Sequence, residues 1–168
     1  MSLSMYQASV PVFQRTLTAL DAILDKAAAY AEARKIDPSV LIGARLYPDM
    51  FALARQVQIA TDHAKGCPAR LAGIAVPGFE DNEKTFAELK ARIAKTLGFI
   101  ATVKPAQVDG SEGRDISLKA GPRELTFKGQ DYLLFFALPN FYFHVTTAFD
   151  ILRHNGVPIG KLDFLGAA

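Results

Sequence analysis

Cysteine, histidine and concentrated charge are all scarce in this chain. Among 168 residues there is one cysteine, Cys67, and three histidines, His63, His144 and His154. A single thiol excludes an intramolecular disulfide and cannot alone build a thiolate metal site, which fits a reducing compartment. Nineteen Lys and Arg against seventeen Asp and Glu leave a net charge of +2, with the basic residues spread singly. Phosphate backbones need concentrated basic surface, so nucleic acid is not an expected partner. No Gly-rich phosphate loop or dinucleotide fingerprint occurs, which argues against a phosphate cofactor; Gly110, Gly113, Gly121 and Gly129 read as turn residues. Met1–Val12 lacks the features of a secretory signal, so a cytoplasmic location is expected. Met1–Ser4 precede a second Met at position 5 and are given no function.

What is present is apolar and periodic. Apolar residues make up 50% and charged residues 21%, a globular composition for one core, and residues 1–168 are read as a single domain. The apolar spacing of Phe13, Leu17, Leu20, Leu24 and Ala31 predicts a first helix over Leu3–Arg34, with Pro11 kinking an early turn. Pro38–Ile42 reads as a short helical turn. A second long helix is expected from Pro48, in its first turn, to Gly66. A third spans Asp81–Val103, capped by Asp81 or Asn82. Between Arg114 and Lys128 the period falls to two, predicting a hairpin of Asp115–Lys119 with Arg123–Phe127 around Gly121-Pro122. A fourth helix follows over Gly129–Asn155, with Gly156 as its left-handed stop. Ile159, Leu162, Phe164 and Leu165 are expected to pack the tail, Val157–Ala168, back on the domain. The architecture is all-α: a four-helix bundle with a small β-hairpin between helices 3 and 4.

The fourth helix is the stretch most worth examining. It is apolar on more than one face, yet Asn140, His144 and Asp150 interrupt it and Pro139 breaks it midway, which favours a bundle helix over a membrane span. Asn140 and His144 are four residues apart and share a face with Leu133, Phe136, Ala137, Ala148 and Ile151. Buried polar groups must be paired, so Asn140, His144 and Thr147 need partners, and Gln56 on the second helix is the first candidate. Two readings stay open: a packed network that fixes helix register, or the lining of a ligand pocket. His154 is expected to face the carbonyl end of its helix. His63 is expected to be exposed, and Cys67 to be a small packing residue rather than a nucleophile.

The stretches FHVTTAFDILRHNGVPIGKLDFLG, LYPDMFALARQVQIATDHAKG and ARLAG resemble an uncharacterised domain-of-unknown-function family grouped with the DinB/YfiT-like four-helix bundles. The resemblance covers essentially the whole chain. It implies an up-down-down-up bundle, often dimeric, whose metal-binding members hold a divalent ion with one His on the second helix and an HxxxH pair on the fourth. Here His144 matches the second His of that pair, Asn140 stands at the first, and Gln56 stands at the second-helix position. Amides are poor zinc ligands beside imidazole, and Asp62 and Asp150, about 240° around their helices, are expected to face elsewhere. No bound metal and no cofactor are therefore expected. The expectation is a small-molecule-binding or structural protein with a polar pocket formed by Gln56, Asn140, His144 and Thr147. The alternative is an enzyme, a thiol-dependent transferase or a metal-dependent hydrolase-like member of the superfamily. Phe135, Tyr142, Phe149 and Leu152 cannot all face the core together with His144, which predicts a homodimer.

Overall fold

Pro11 decides where the first helix begins. In the computed structural model, which describes residues 3–166, α1 runs over Val10–Arg34 rather than from Leu3. Met1, Ser2, Ala167 and Ala168 lie outside the described residues, and with them the ends of the expected 1–168 domain and of the tail. Pro11 has no N–H to offer a preceding turn, and the first turn of a helix is where that donor is not needed. Residues ahead of it form separate turns, with the Ser9 hydroxyl donating to the Met5 carbonyl at 2.6 Å. The chain start is tied down by the Tyr6 N–H donating to Asp109 Oδ1 at 2.8 Å. Phe13, Leu17, Leu20, Leu24, Ala27 and Ala31 are fully buried along one stripe, as their spacing predicts. Each large side chain so buried contributes roughly 1.5–3 kcal/mol.

The next helices are shifted from expectation at both ends. After the expected short α2 (Pro38–Ile42), Pro48 sits in a turn, with the Met50 N–H bonded to the Tyr47 carbonyl, and α3 begins only at Leu53. It then continues through Gly66 and Pro68 to Ala72. Pro68 costs the Ala64 carbonyl its helical donor, but burial of Cys67, Pro68 and Leu71 holds the last turns in place. The stop is Gly73, left-handed at φ 69°, with the Ile74 N–H reaching back to the Ala69 carbonyl at 2.9 Å. The third long helix, α4, spans Phe86–Ala101, and its cap is Thr85 rather than Asp81 or Asn82. The Glu88 N–H donates to Thr85 Oγ1 at 3.2 Å and the Thr85 N–H to Glu88 Oε2 at 2.9 Å, a reciprocal capping box.

Asp81 is occupied elsewhere. It belongs with Asp62 and Glu83 to a set of carboxylates around Arg92, whose side chain is 2% exposed. Arg92 Nη2 lies 2.9 Å from Asp62 and 3.0 Å from Asp81, and Nη1 lies 3.0 Å from Glu83. Its remaining donors reach Thr61 Oγ1 at 2.7 Å and the Glu80 carbonyl at 2.8 Å. One buried guanidinium thus straps the segment around residues 79–83 onto α3 and α4.

A short helix α5 (Pro105–Val108), not expected from the sequence, leads to the hairpin. Strands β1 (Asp115–Ala120) and β2 (Arg123–Lys128) pair antiparallel with Ile116 opposite Phe127 and Leu118 opposite Leu125, one residue longer per strand than expected. Gly121 supplies the left-handed φ of 60° that the two-residue connection requires. Ile116 is buried and Leu118 and Phe127 half-buried, so this face of the hairpin lies on the bundle.

The final helical run is continuous in spite of Pro139. It opens with α6 (Gly129–Asp131), widens into a π-helical segment, Tyr132–Ala137, and continues as α7 (Leu138–His154). Pro139 cannot donate to the Phe135 carbonyl and its ring would strike the preceding turn; the wider π turn makes room, and the Leu138 N–H bonds five residues back to Leu133. Gly156, at φ 90°, ends the run as expected, with the Val157 N–H bonded to the Leu152 carbonyl.

Around the core α3 packs on α4 and α7, and α1 packs on α4. Phe13 meets Phe141 edge to face at 4.8 Å. Of the four apolar tail residues, Ile159 is buried and Phe164 packs edge-on against Phe149 at 5.7 Å, whereas Leu162 and Leu165 on α8 (Lys161–Leu165) are exposed. Phe149 and Leu152 are therefore covered within the chain, and the outward apolar surface of the last long helix narrows to Leu134, Phe135, Tyr142 and Phe143. Among the described residues no helix is long and apolar enough to cross a membrane.

Candidate functional site

His144 and Gln56 meet where α7 crosses α3. His144 Nδ1 lies 2.6 Å from Gln56 Oε1. The Gln56 amide nitrogen donates to the Phe51 carbonyl at 3.0 Å, so its oxygen is the atom turned to the histidine. An amide oxygen only accepts, which places the proton on Nδ1 and leaves a lone pair on Nε2. Burial, with a smaller effect from the Arg55 charge, pushes the His144 pKa down to about 4, so the ring is neutral at physiological pH.

Next to this pair is a cavity of about 460 Å³ under the hairpin. From α3 it is lined by Arg55, Ile59, Asp62, His63 and Arg70, from the last helical run by Tyr132, Phe136, Asn140 and His144, and from the hairpin by Leu118, Lys119 and Gly121. The π segment places Tyr132 and Phe136 on this wall, and Phe127 packs 5.2 Å from the Phe136 ring. Asn140 donates to the Phe136 carbonyl at 2.7 Å, satisfying backbone at the end of the widened turn and fixing the side chain at the cavity edge. Arg70 Nη1 donates to the Tyr132 hydroxyl at 3.0 Å. Burial above all pushes that phenol up to about 12, so it stays protonated.

Thr147 is not drawn into the cavity. It is buried, and its hydroxyl donates to the Phe143 carbonyl on its own helix at 2.7 Å. His63, expected to be exposed, is instead half-buried, with its ring stacked on His144 at a centroid distance of 6.2 Å and 15° between planes. Burial and the neighbouring His144 push its pKa down to about 4. Asp62, expected to face elsewhere, lines the rim, where Arg92 and Lys65 neutralise it. The reason is angular: the cavity faces the arc of α3 that carries Arg55, Ile59, Asp62 and His63, and Gln56 stands at one edge of that arc. A signal was present in the spacing of Gln56, His63 and Arg70, each seven residues after the last, which keeps all three within about 40° on a helix.

Cys67 is fully buried, and its thiol is pushed far up by burial, which removes it as a nucleophile. His154 is exposed at the end of α7. A larger recess of about 500 Å³ lies between the Gly78–Glu83 segment and α4, but Arg92 and Glu83 there are already paired with each other.

The divalent ion held by metal-binding DinB/YfiT-like proteins does not fit these residues. Three ligands must converge at about 2.0–2.1 Å. Imidazole lone pairs lie in the ring planes, and rings stacked at 15° confine them to nearly parallel planes. His144 Nδ1 is already committed to Gln56, and the other matching positions offer amides. Among the described residues no group of three or more His, Cys, Asp or Glu is placed to hold a metal.

The model of a family described as "Domain of unknown function (DUF1993)" matches residues 5–165. The crystal structure of a DinB family member protein from Shewanella denitrificans is similar to this chain, with 43% sequence identity over 97% of this chain and 92% of that one, and a TM-score of 0.88. No curated protein matches.

Proposed function

This chain belongs to the DUF1993 family of DinB-like helical bundles, and on that premise we propose that it is a small-molecule-binding protein whose ligand sits beside His144, without a bound transition metal. The observation that carries the reading is the cavity of about 460 Å³, within the range of small-molecule sites, into which neutral His144 and His63, Asn140 and Arg70 converge from two helices. A core network that merely set helix register would pack these groups against each other and leave no such space.

An enzymatic reading is favoured by one feature, the unprotonated Nε2 of His144, which could accept a proton from a thiol. An ordinary thiol has a pKa near 8.5, so transfer to an imidazole at about 4 is uphill by about 6 kcal/mol. That weighs for binding over thiol transfer.

The test is a ligand-observed NMR screen of a chemically diverse library against the wild type and Ile59→Trp, which plugs the cavity without touching its polar groups. Binders lost in the variant support the reading. No binders, or binders indifferent to the plug, overturn it.

The protein is also proposed to be a cytoplasmic homodimer. The lone buried thiol fits a reducing compartment, and the outward aromatic surface, with Phe135 73% exposed, fits a partner face. Light scattering should return about twice the 18.2 kDa chain mass, and Phe135→Glu should return it once. A wild type that stays at the single-chain mass refutes the dimer.

A further inference from the structure

We propose that the ligand of this cavity is a small organic carboxylate with an apolar or aromatic body, an inference that rests on the pocket being a binding site. The charge around the cavity is lopsided. Its one acid, Asp62, is paired with Arg92 and Lys65, and Arg55 is paired with Asp81. Arg70 and Lys119, which also line it, have no carboxylate partner among the described residues.

Arg70 is the telling one. It is half-buried, and among the described residues the one side-chain bond of its guanidinium is to the neutral phenol of Tyr132. A partly desolvated cation bonded only to a neutral group is short of counter-charge, and a planar guanidinium is matched by a planar carboxylate through two parallel bonds. The seat is shaped for it: a Cβ added at Gly66 would collide with Arg70 Nη1, so glycine leaves the guanidinium its place against the helix. Within the same lining the ring of Phe136 lies 5.8 Å from that of His63, and Ile59 and Leu118 add apolar surface for the body of the ligand. Neutral His63 can donate a ring N–H to a carboxylate, whereas His144, whose Nδ1–H is held by Gln56, offers only the acceptor Nε2; neither imidazole adds positive charge.

The experiment measures affinity by calorimetry for matched pairs, benzoate with benzamide, phenylacetate with phenylacetamide and hexanoate with hexanamide. Wild type should prefer the acid of at least one pair, and Arg70→Gln, which keeps a donor for Tyr132, should weaken that acid about 10- to 100-fold while leaving the amide unchanged. Gly66→Ala, which displaces the guanidinium without removing it, should give the same loss in direction. Amides that bind as tightly as acids, or acids indifferent to both variants, overturn the carboxylate assignment while leaving the pocket standing. Silence of every pair alongside hits in the diverse library also overturns the assignment. Silence in both experiments overturns the pocket itself.

Discussion

Replacing Arg92 by Met should destabilise the protein by about 3 kcal/mol, and the figure follows from which partners can recover. Removing one member of a buried ion pair costs about 3–5 kcal/mol when the other charge is left without water. Asp62 and Asp81 are each 38% exposed in their side chains and can rehydrate, whereas Glu83 is 9% exposed and cannot do so without opening the strap. The Thr61 hydroxyl and the Glu80 carbonyl lose donors as well. Methionine keeps much of the aliphatic bulk, so little of the loss is packing. One buried carboxylate, left with the Gln58 amide as its donor, places the effect at the lower end of the range. For a chain of this size 1 kcal/mol shifts Tm by about 2–4 °C, so a fall of about 6–12 °C is expected. Urea unfolding should show the midpoint falling with unchanged slope, and Glu83→Gln added to Arg92→Met should recover part of the loss. A change below about 1 kcal/mol, or no recovery in the double variant, would refute the claim that Glu83 depends on this guanidinium.

Stability should also fall in mild acid through the histidine pair. Both folded pKa values, about 4, lie below the ordinary value of 6.5, so between those limits the unfolded chain binds more protons. The contribution is intact above about pH 6.5 and lost as pH falls towards 4, on the order of 3 kcal/mol for the pair once solvent screening is allowed for. Urea midpoints from pH 7 to 4 for wild type and His63→Phe check it, since the variant should lose less; parallel curves refute it. Cys67, buried with its thiol pushed far up, should react with an aromatic disulfide reagent only at the rate of unfolding, and prompt reaction in the native state would contradict that burial. Thr85→Ala should cost about 1 kcal/mol by removing the cap of α4, measured the same way, and a neutral result would mean that Glu88 alone holds that end.

Much of the fold was legible because it depends on local periodicity. Leu17, Leu20 and Leu24 on α1, and Ile116 and Leu118 on β1, face the core as their spacing requires. Helix ends were harder, because they turn on tertiary compensation: the second long helix was expected to stop at Gly66 before Pro68, yet burial carries it to Ala72, and the fourth runs through Pro139 as expected but by way of a π turn that spacing does not announce. The cap at Thr85 was readable, since Thr85 and Glu88 have capping-box spacing, but Asp81 and Asn82 upstream offered equally good caps, and it is Arg92 that claims Asp81. For the site, the meeting of Gln56 with His144 followed from matched positions on two helices. His63 was missed although its seven-residue spacing sets it only about 20° from Gln56 on α3, whereas Asp62 was missed because the cavity faces an arc of α3 of which Gln56 is only one edge. Arg92 carries no sequence mark of burial, and its role depends on a loop folding back over it.

The most direct test of the account is an imidazole ¹⁵N NMR experiment on His63 and His144 with a library binder added. Without ligand at neutral pH, His144 should show the Nδ1–H tautomer bonded to Gln56, and both rings should be neutral. On ligand addition the Nε2 resonance of His144 and the His63 ring should shift saturably, in step with binding, and Ile59→Trp should abolish both changes. Bound ligand with both imidazoles unmoved, or a free His144 in the Nε2–H tautomer, would contradict a binding site beside this histidine.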